Sequence, residues 1–187
     1  MSKLFPAVFL DRDGVICKEK SYITSLNRLE IYPYAADAVK NLRNAGFKTI
    51  IVTNQSAVAR GMIKEEELKL IHRFLLEIVP VDAIYYCPHY PAAGQMESPY
   101  LINCRCRKPE PGMIYAARDE HKIDLGKSYI VGDRASDIIA GKNAGVTTVL
   151  VRTGYGAGKL EQDVQPDYIF KDLKEFTDFL IKSKVQV

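Results

Sequence analysis

The chain has 187 residues, enough for one domain with a substantial core and too few for two full ones. Its 26 Lys and Arg against 23 Asp and Glu leave a slight basic excess spread along the chain, which argues against a dedicated nucleic-acid surface. No apolar run is long enough to span a bilayer, the start "MSKLFPAVFLDRDG" does not read as a signal peptide, and thiols placed like metal ligands suit a reducing cytoplasm.

The first β-rich run, "AVFLD" at residues 7–11, leads into "FLDRDG". Asp11 and Asp13 stand one residue apart at a strand end, so their side chains point in roughly similar directions. Gly14 lets the chain turn away tightly after them. Cys17, in "DGVIC", reads as a small apolar residue near the core. A helix follows in "AADAVKNLRNAG", where Ala35, Val39, Leu42 and Ala45 recur at helical spacing and Gly46 stops the run.

The second strand, "KTIIVTN", finishes on Thr53 and Asn54 of "VTNQS". The helix "KEEELKLIHRFLLEIV" carries acids in its first turn, where the helix dipole favours them, and holds His72 as a surface or hydrogen-bond-satisfied residue. The third strand is "DAIYYC". Residues 87–108 then break the alternation as the one long insertion. Within it Cys87 and His89 of "CPH", and Cys104 and Cys106 of "CRCRKP", are pairs of ligands each spaced by one residue. A disulfide between residues at i and i+2 is hard to close, whereas three thiols and an imidazole suit tetrahedral zinc. The plainer alternative is thiols buried as small apolar residues beside an incidental histidine. Arg107 and Lys108 follow the last thiol directly, so closing a zinc shell would hold them rigidly.

"PGMIYAARDEH" is the next helix, with Pro111 near its first position, and "SYIVGD" is a strand ending on Asp133 of "VGDRASD". "ASDIIAGKNAG" is a helix ending at Gly145, "TTVLV" and "DYIF" are strands, and "DLKEFTDFLIKS" closes the chain with Asp172 as its cap. Strands alternating with helices give an α/β fold with a parallel sheet, and the apolar strands read as buried on both faces. One domain over residues 1–187 is expected, with no repeat or linker.

Ligands of such sheets gather at the carboxyl ends of strands. Asp11, Asp13 and Asp133 would repel one another there unless a hard cation such as Mg²⁺ neutralised them. Asp11 is then a candidate carboxylate nucleophile and Asp13 a candidate acid and base. Thr53, Asn54 and Lys108 would hold the oxygens of a transferring phosphoryl group. Arg60, in "VARG", either reaches the far end of a substrate or is a solvated cation, and Asp137 either supports magnesium or is an early-helix acid.

"FLDRDG", "VTNQS", "CRKP" and "GDRASD" resemble the four ordered motifs of the haloacid dehalogenase superfamily of phosphatases. With "IYYCPHYP" and the Cys/His quartet the chain is similar to the D-glycero-D-manno-heptose 1,7-bisphosphate 7-phosphatase and histidinol-phosphatase family, over nearly all its length to about Gly154. That resemblance implies a Rossmann-like sheet without a large cap domain. It implies Asp11 as nucleophile, Asp13 as acid/base, and Thr53, Arg107 and Lys108 as stabilisers of the phosphoryl group. Magnesium would be held by the Asp11 carboxylate, the Asp13 backbone carbonyl and Asp133, and structural zinc by Cys87, His89, Cys104 and Cys106. Glu19, Lys20, Ser21 and Tyr22, together with Thr53, Asn54, Gln55 and Ser56, match positions that contact substrate.

The expected activity is Mg²⁺-dependent removal of the 7-phosphate from a heptose bisphosphate, on the route to nucleotide-activated heptose, by a cytoplasmic monomer without nucleic-acid or membrane partners. Histidinol phosphate is the alternative substrate. From another class, a phosphorylatable receiver domain also uses clustered acids, a Thr and a Lys, but its phosphorylated Asp ends a middle strand. A zinc-stabilised binding module is a third reading, against which the modest charge counts.

Overall fold

The computed structural model describes residues 3–91, 98–158 and 164–185. Six strands form one sheet: β1 (Ala7–Leu10), β2 (Lys48–Asn54), β3 (Ala83–Cys87), β4 (Tyr129–Gly132), β5 (Thr147–Val151) and β6 (Tyr168–Phe170). Their order is β3-β2-β1-β4-β5-β6, and every neighbouring pair is parallel. Helices α1 (Ala35–Asn44), α2 (Glu65–Ile78), α3 (Gly112–His121), α4 (Ala135–Ala144) and α5 (Leu173–Val185) make the crossovers and close the chain.

Side chains alternate across the sheet, so each central strand feeds two cores. Val8, Leu10, Ile51, Val131 and Val149 face one layer, which α1, the end of α2 and α5 complete with Leu42, Leu75 and Phe176. Ala7, Phe9, Ile50, Val52 and Ile130 face the other, which α3 and α4 complete with Met113, Ile114, Ala117 and Ala140. A third cluster joins Cys17 and Ile23, after β1, to Val58, Ile63, Leu68 and Ile71 around the start of α2. Cys17 is thus a core residue, as its apolar surroundings in the sequence suggest. Asp172 caps α5 by accepting the Glu175 N–H at 2.9 Å.

Two strands depart from expectation. β3 and β6 are the sheet edges rather than strands buried on both faces: β3 is half-buried along most of its length, and Tyr168 and Ile169 of β6 are exposed. An edge strand has a neighbour on one side only, and its apolar run alone does not reveal that.

The order reverses at β1, whose neighbours β2 and β4 lead away in opposite directions. Such a switch point opens a crevice beyond the carboxyl ends of the strands. It lies beyond β2, β1 and β4, the strands that end in "VTNQS", "FLDRDG" and "VGDRASD".

Candidate active site

Asp11 leaves the end of β1 and its carboxylate is buried. Its Oδ1 accepts the Arg12 backbone N–H at 2.7 Å and lies 3.0 Å from Lys108 Nζ. Lys108 is buried too: its Nζ sits 2.5 Å from Asp137 Oδ1 and donates to the Val52 carbonyl at 2.7 Å. Lys108 is the last residue of the insertion, and Asn54 places it. The Asn54 side chain donates to the Lys108 carbonyl and accepts the Lys108 N–H, both at 3.0 Å. Asn54 therefore lines the cleft and anchors Lys108.

Asp133 follows β4 and sits between two glycines. A Cβ on Gly14 or on Gly154 would lie 2.2 or 2.1 Å from Asp133 Oδ2, so both positions need a residue without a side chain. Both also have positive φ, +82° and +57°. Asp133 Oδ2 accepts the Tyr155 N–H at 2.8 Å, while its buried Oδ1 has no hydrogen-bond partner among the described residues. One carboxylate oxygen each from Asp11, Asp133 and Asp137 fall within 4.8 Å of one another. Burial and the neighbouring carboxylates raise Asp133 to about 8. Burial likewise raises Asp11 to about 7 against the pull of Lys108. Buried acids this close, with an unpartnered oxygen, fit a hard divalent cation bound through oxygen.

Asp13 stands apart from that group, because its side chain turns to Arg12. The Arg12 guanidinium is buried and donates through Nε and Nη2 to both Asp13 oxygens, at 2.9 to 3.2 Å. Gln55 Nε2 reaches Asp13 Oδ2 at 3.0 Å and Thr53 Oγ1 at 2.9 Å, so Thr53, Gln55 and Asp13 form one chain. Burial is the largest influence and would raise Asp13, but the Arg12 charge and the hydrogen bonds from Arg12, Gln55 and Cys17 together outweigh it and hold the carboxyl below its usual range. The family resemblance assigns the Asp13 backbone carbonyl, not this side chain, to a cation.

The cleft over these residues is lined by Glu19, Ser21 and Tyr22 from the flap after β1, by Ser56 and Arg60 after β2, and by Tyr90 and Arg107 from the insertion. Lys20, grouped with the flap contacts in the sequence, instead turns to Glu30 at 3.0 Å and does not line this cleft. Arg60 and Arg107 both lie over the Tyr90 ring, 4.1 and 4.9 Å from its centroid. Arg134 and Tyr155 line the cleft without having stood out in the sequence. Arg134 stacks 3.8 Å from the Tyr155 ring centroid and pairs with Glu19 at 3.2 Å, tying the flap across the mouth.

Behind the cleft, Cys87, His89, Cys104 and Cys106 converge. The Sγ atoms are 3.1 to 3.5 Å apart, and His89 Nδ1 lies 3.3 Å from Cys106 and 3.7 Å from Cys87. A tetrahedron with Zn–S arms of about 2.3 Å has edges of roughly 3.8 Å, so this donor set fits zinc with modest expansion. Arg107 Nη1 donates to the His89 carbonyl at 3.1 Å, a contact that crosses the quartet. Tyr100, also in the insertion, and Tyr86 of β3 both donate to Glu65 of α2 at 2.6 Å. Residues 92–97 of the insertion lie outside the described residues.

A family model described as HAD-hydrolase-like matches residues 105–176. D-glycero-beta-D-manno-heptose-1,7-bisphosphate 7-phosphatase of Escherichia coli K12 is 42% identical over 160 residues, covering 82% of this chain and 83% of that one. This chain belongs to that phosphatase family, within the HAD-like hydrolases. The Salmonella typhi family member is 37% identical over 98% of this chain and 100% of its own. Among solved family structures, D,D-heptose 1.7-bisphosphate phosphatase from B. bronchiseptica, complexed with magnesium and phosphate, superposes with a TM-score of 0.79 at 31% identity, over 95% of this chain and 99% of that one. The shared fold is the parallel sheet described above. Among the described residues no helix is long and apolar enough to cross a membrane.

Proposed function

We propose that this chain is a Mg²⁺-dependent phosphomonoesterase that removes the 7-phosphate of D-glycero-D-manno-heptose 1,7-bisphosphate through an aspartyl-phosphate at Asp11. The observation that carries the reading is Asp11 buried at the end of β1, with Lys108 on one side and the acid group of Asp133 and Asp137 on the other. Names of family members at up to 42% identity supply the substrate.

Oδ1 of Asp11 carries both of its polar contacts, which leaves Oδ2 to attack phosphorus. The bond from phosphorus to the sugar oxygen breaks as the new one forms, and the departing alkoxide takes a proton from Asp13, which must first be protonated against the pull of Arg12. In the second step Asp13 removes a proton from water, the water oxygen attacks phosphorus, and the Asp11 carboxylate is released with inorganic phosphate. Lys108, Thr53 and Arg107 would balance charge on the equatorial oxygens, with Thr53 oriented by Gln55. Asp11, Asp133 and the Asp13 carbonyl would hold magnesium, with Asp137 beside them; the bound ion supplies neutralisation of the acids and of the phosphoryl charge. Cys87, His89, Cys104 and Cys106 would hold zinc in a closed shell that stiffens the loop carrying Arg107.

A bisphosphate suits a cleft whose mouth carries Arg60, Arg107 and Arg134 around the buried Lys108. With no cap domain on the sheet among the described residues, the flap and the insertion are the walls that would select substrate. One domain and a cytoplasmic setting complete the reading. The test is phosphate release from both anomeric heptose bisphosphates and from histidinol phosphate, with Mg²⁺ added or withheld. Metal-dependent turnover favouring the heptose esters is expected. Preference for histidinol phosphate would overturn the substrate, and a phospho-protein lasting minutes without turnover would overturn the enzyme.

A further inference from the structure

Arg12 spends its guanidinium in two directions. Nε and Nη2 grip both oxygens of Asp13, while Nη1 lies 3.2 Å from Nε2 of His72, a buried residue of α2 sixty positions away. An arginine only donates, so His72 must accept at Nε2 and carry its proton at Nδ1. Burial, and then the Arg12 charge, keep that ring neutral, with its pKa held at about 3. The ring is braced from the side by Tyr86, with centroids 5.2 Å apart. A guanidinium gripped at both ends has one orientation left to it, and that orientation fixes where the Asp13 carboxylate stands.

We propose that His72 is a positioning residue for phosphoryl transfer: by accepting from Nη1 it locks the Arg12 fork, and the fork places Asp13 for its proton transfers. This rests on the reading of Asp13 as acid and base given above. Without the acceptor, a buried guanidinium N–H is left unpaired and the fork can turn to find another partner, taking Asp13 with it. A misplacement of about 1 Å at a reacting group costs up to about a hundredfold in rate.

The test compares His72→Phe, which keeps a ring but has no acceptor, with His72→Gln, whose Oε1 can stand near the place of Nε2. Should His72→Phe not fold, His72→Leu makes the same comparison. For the heptose bisphosphate, His72→Phe is expected to lower kcat roughly tenfold to a hundredfold with KM nearly unchanged, and His72→Gln to recover most of that loss. With p-nitrophenyl phosphate, whose leaving group needs no proton, the first step is expected to persist as a burst of one nitrophenolate per enzyme before slow turnover. The Arg12 Nε–H resonance, protected from exchange in the native protein and in His72→Gln, is expected to lose protection in His72→Phe. Undiminished kcat together with a protected resonance in His72→Phe would overturn the proposal, as would equal losses in the Phe and Gln variants. If the native protein ignores the heptose ester yet cleaves p-nitrophenyl phosphate, the substrate reading fails while the burst still tests His72. If it cleaves neither, the Arg12 resonance tests the lock alone.

Discussion

Asn54 and Lys108 hold each other by two reciprocal hydrogen bonds of 3.0 Å, side-chain amide to backbone amide, across fifty-four positions of sequence. The pairing fastens a loop that has no regular structure of its own to the last residue of β2, and it aims the lysine at Asp11.

Asn54→Ala removes both bonds and leaves the Lys108 N–H and C=O to find water. A stability loss of about 1 to 3 kcal/mol is expected from denaturant titration. Because Lys108 Nζ is placed through its own backbone, kcat is expected to fall roughly ten- to a hundredfold. A stability loss with unchanged kcat would show that the other contacts of Lys108 suffice to place it.

The acids at strand ends and the paired Cys/His spacings are legible because each is local, and the structure brings Asp11 and Asp133 together and the four Cys/His side chains together. The sheet order is not legible, since β3 and β6 have the same apolar runs as the central strands and differ only in which neighbours they find. Arg12 shows the limit most clearly. It stands between two acids and is buried against His72, and no local pattern links positions 12 and 72. The sequence allows two readings of Asp137, and its 2.5 Å approach to Lys108 and its grouping with Asp11 and Asp133 put it beside them. The support of Asp133 by the Tyr155 N–H is likewise a contact made by the fold, twenty-two residues on.

The acid group makes stability depend on pH and metal together. Asp11 at about 7 and Asp133 at about 8 lie above the ordinary 3.8, so the unfolded chain gives up these protons first. Their stabilising contribution is complete below about 3.8 and is lost as pH rises through 7 to 8. His72, whose folded value of about 3 lies below 6.5, acts oppositely but only below 6.5. Metal-free protein is therefore expected to lose about 1 to 2 kcal/mol between about pH 6.5 and 8. Added Mg²⁺ is expected to raise Tm more at the upper pH than at the lower, because it binds the ionised acids. Equal Mg²⁺ effects at both would count against a cation among these carboxylates.

Loss of a metal from the Cys/His quartet is expected to separate two neighbouring cations. Arg107 is held through the His89 carbonyl, within the quartet, whereas Lys108 is held by Asn54, Val52 and two carboxylates outside it. Stripping zinc with a chelator, or substituting Cys106→Ser, is expected to raise KM several-fold while kcat falls less. Metal content by elemental analysis and steady-state kinetics on the same samples check this. Intact kinetics in zinc-free protein would remove the link between the quartet and Arg107.

Gly14 and Gly46 form a matched pair. Both have positive φ, +82° and +88°, but a Cβ on Gly14 meets Asp133 at 2.2 Å while one on Gly46 meets nothing within 4 Å. Each alanine substitution is expected to cost about 1 kcal/mol or somewhat more in backbone strain. Gly14→Ala alone is expected to weaken Mg²⁺ activation, by tenfold or more, as Asp133 is pushed aside. Isothermal titration with Mg²⁺ distinguishes the two, and equal affinities in both variants would contradict the placement of Asp133 in the metal site.

The covalent bond to Asp11 is tested most directly by quenching turnover with borohydride, which reduces an acyl phosphate to the alcohol, and sequencing the peptides by mass. Homoserine at position 11 in the native protein, and neither homoserine nor turnover in Asp11→Asn, is the expected result. Continued phosphate release by Asp11→Asn, or reduction at another carboxylate, would contradict it.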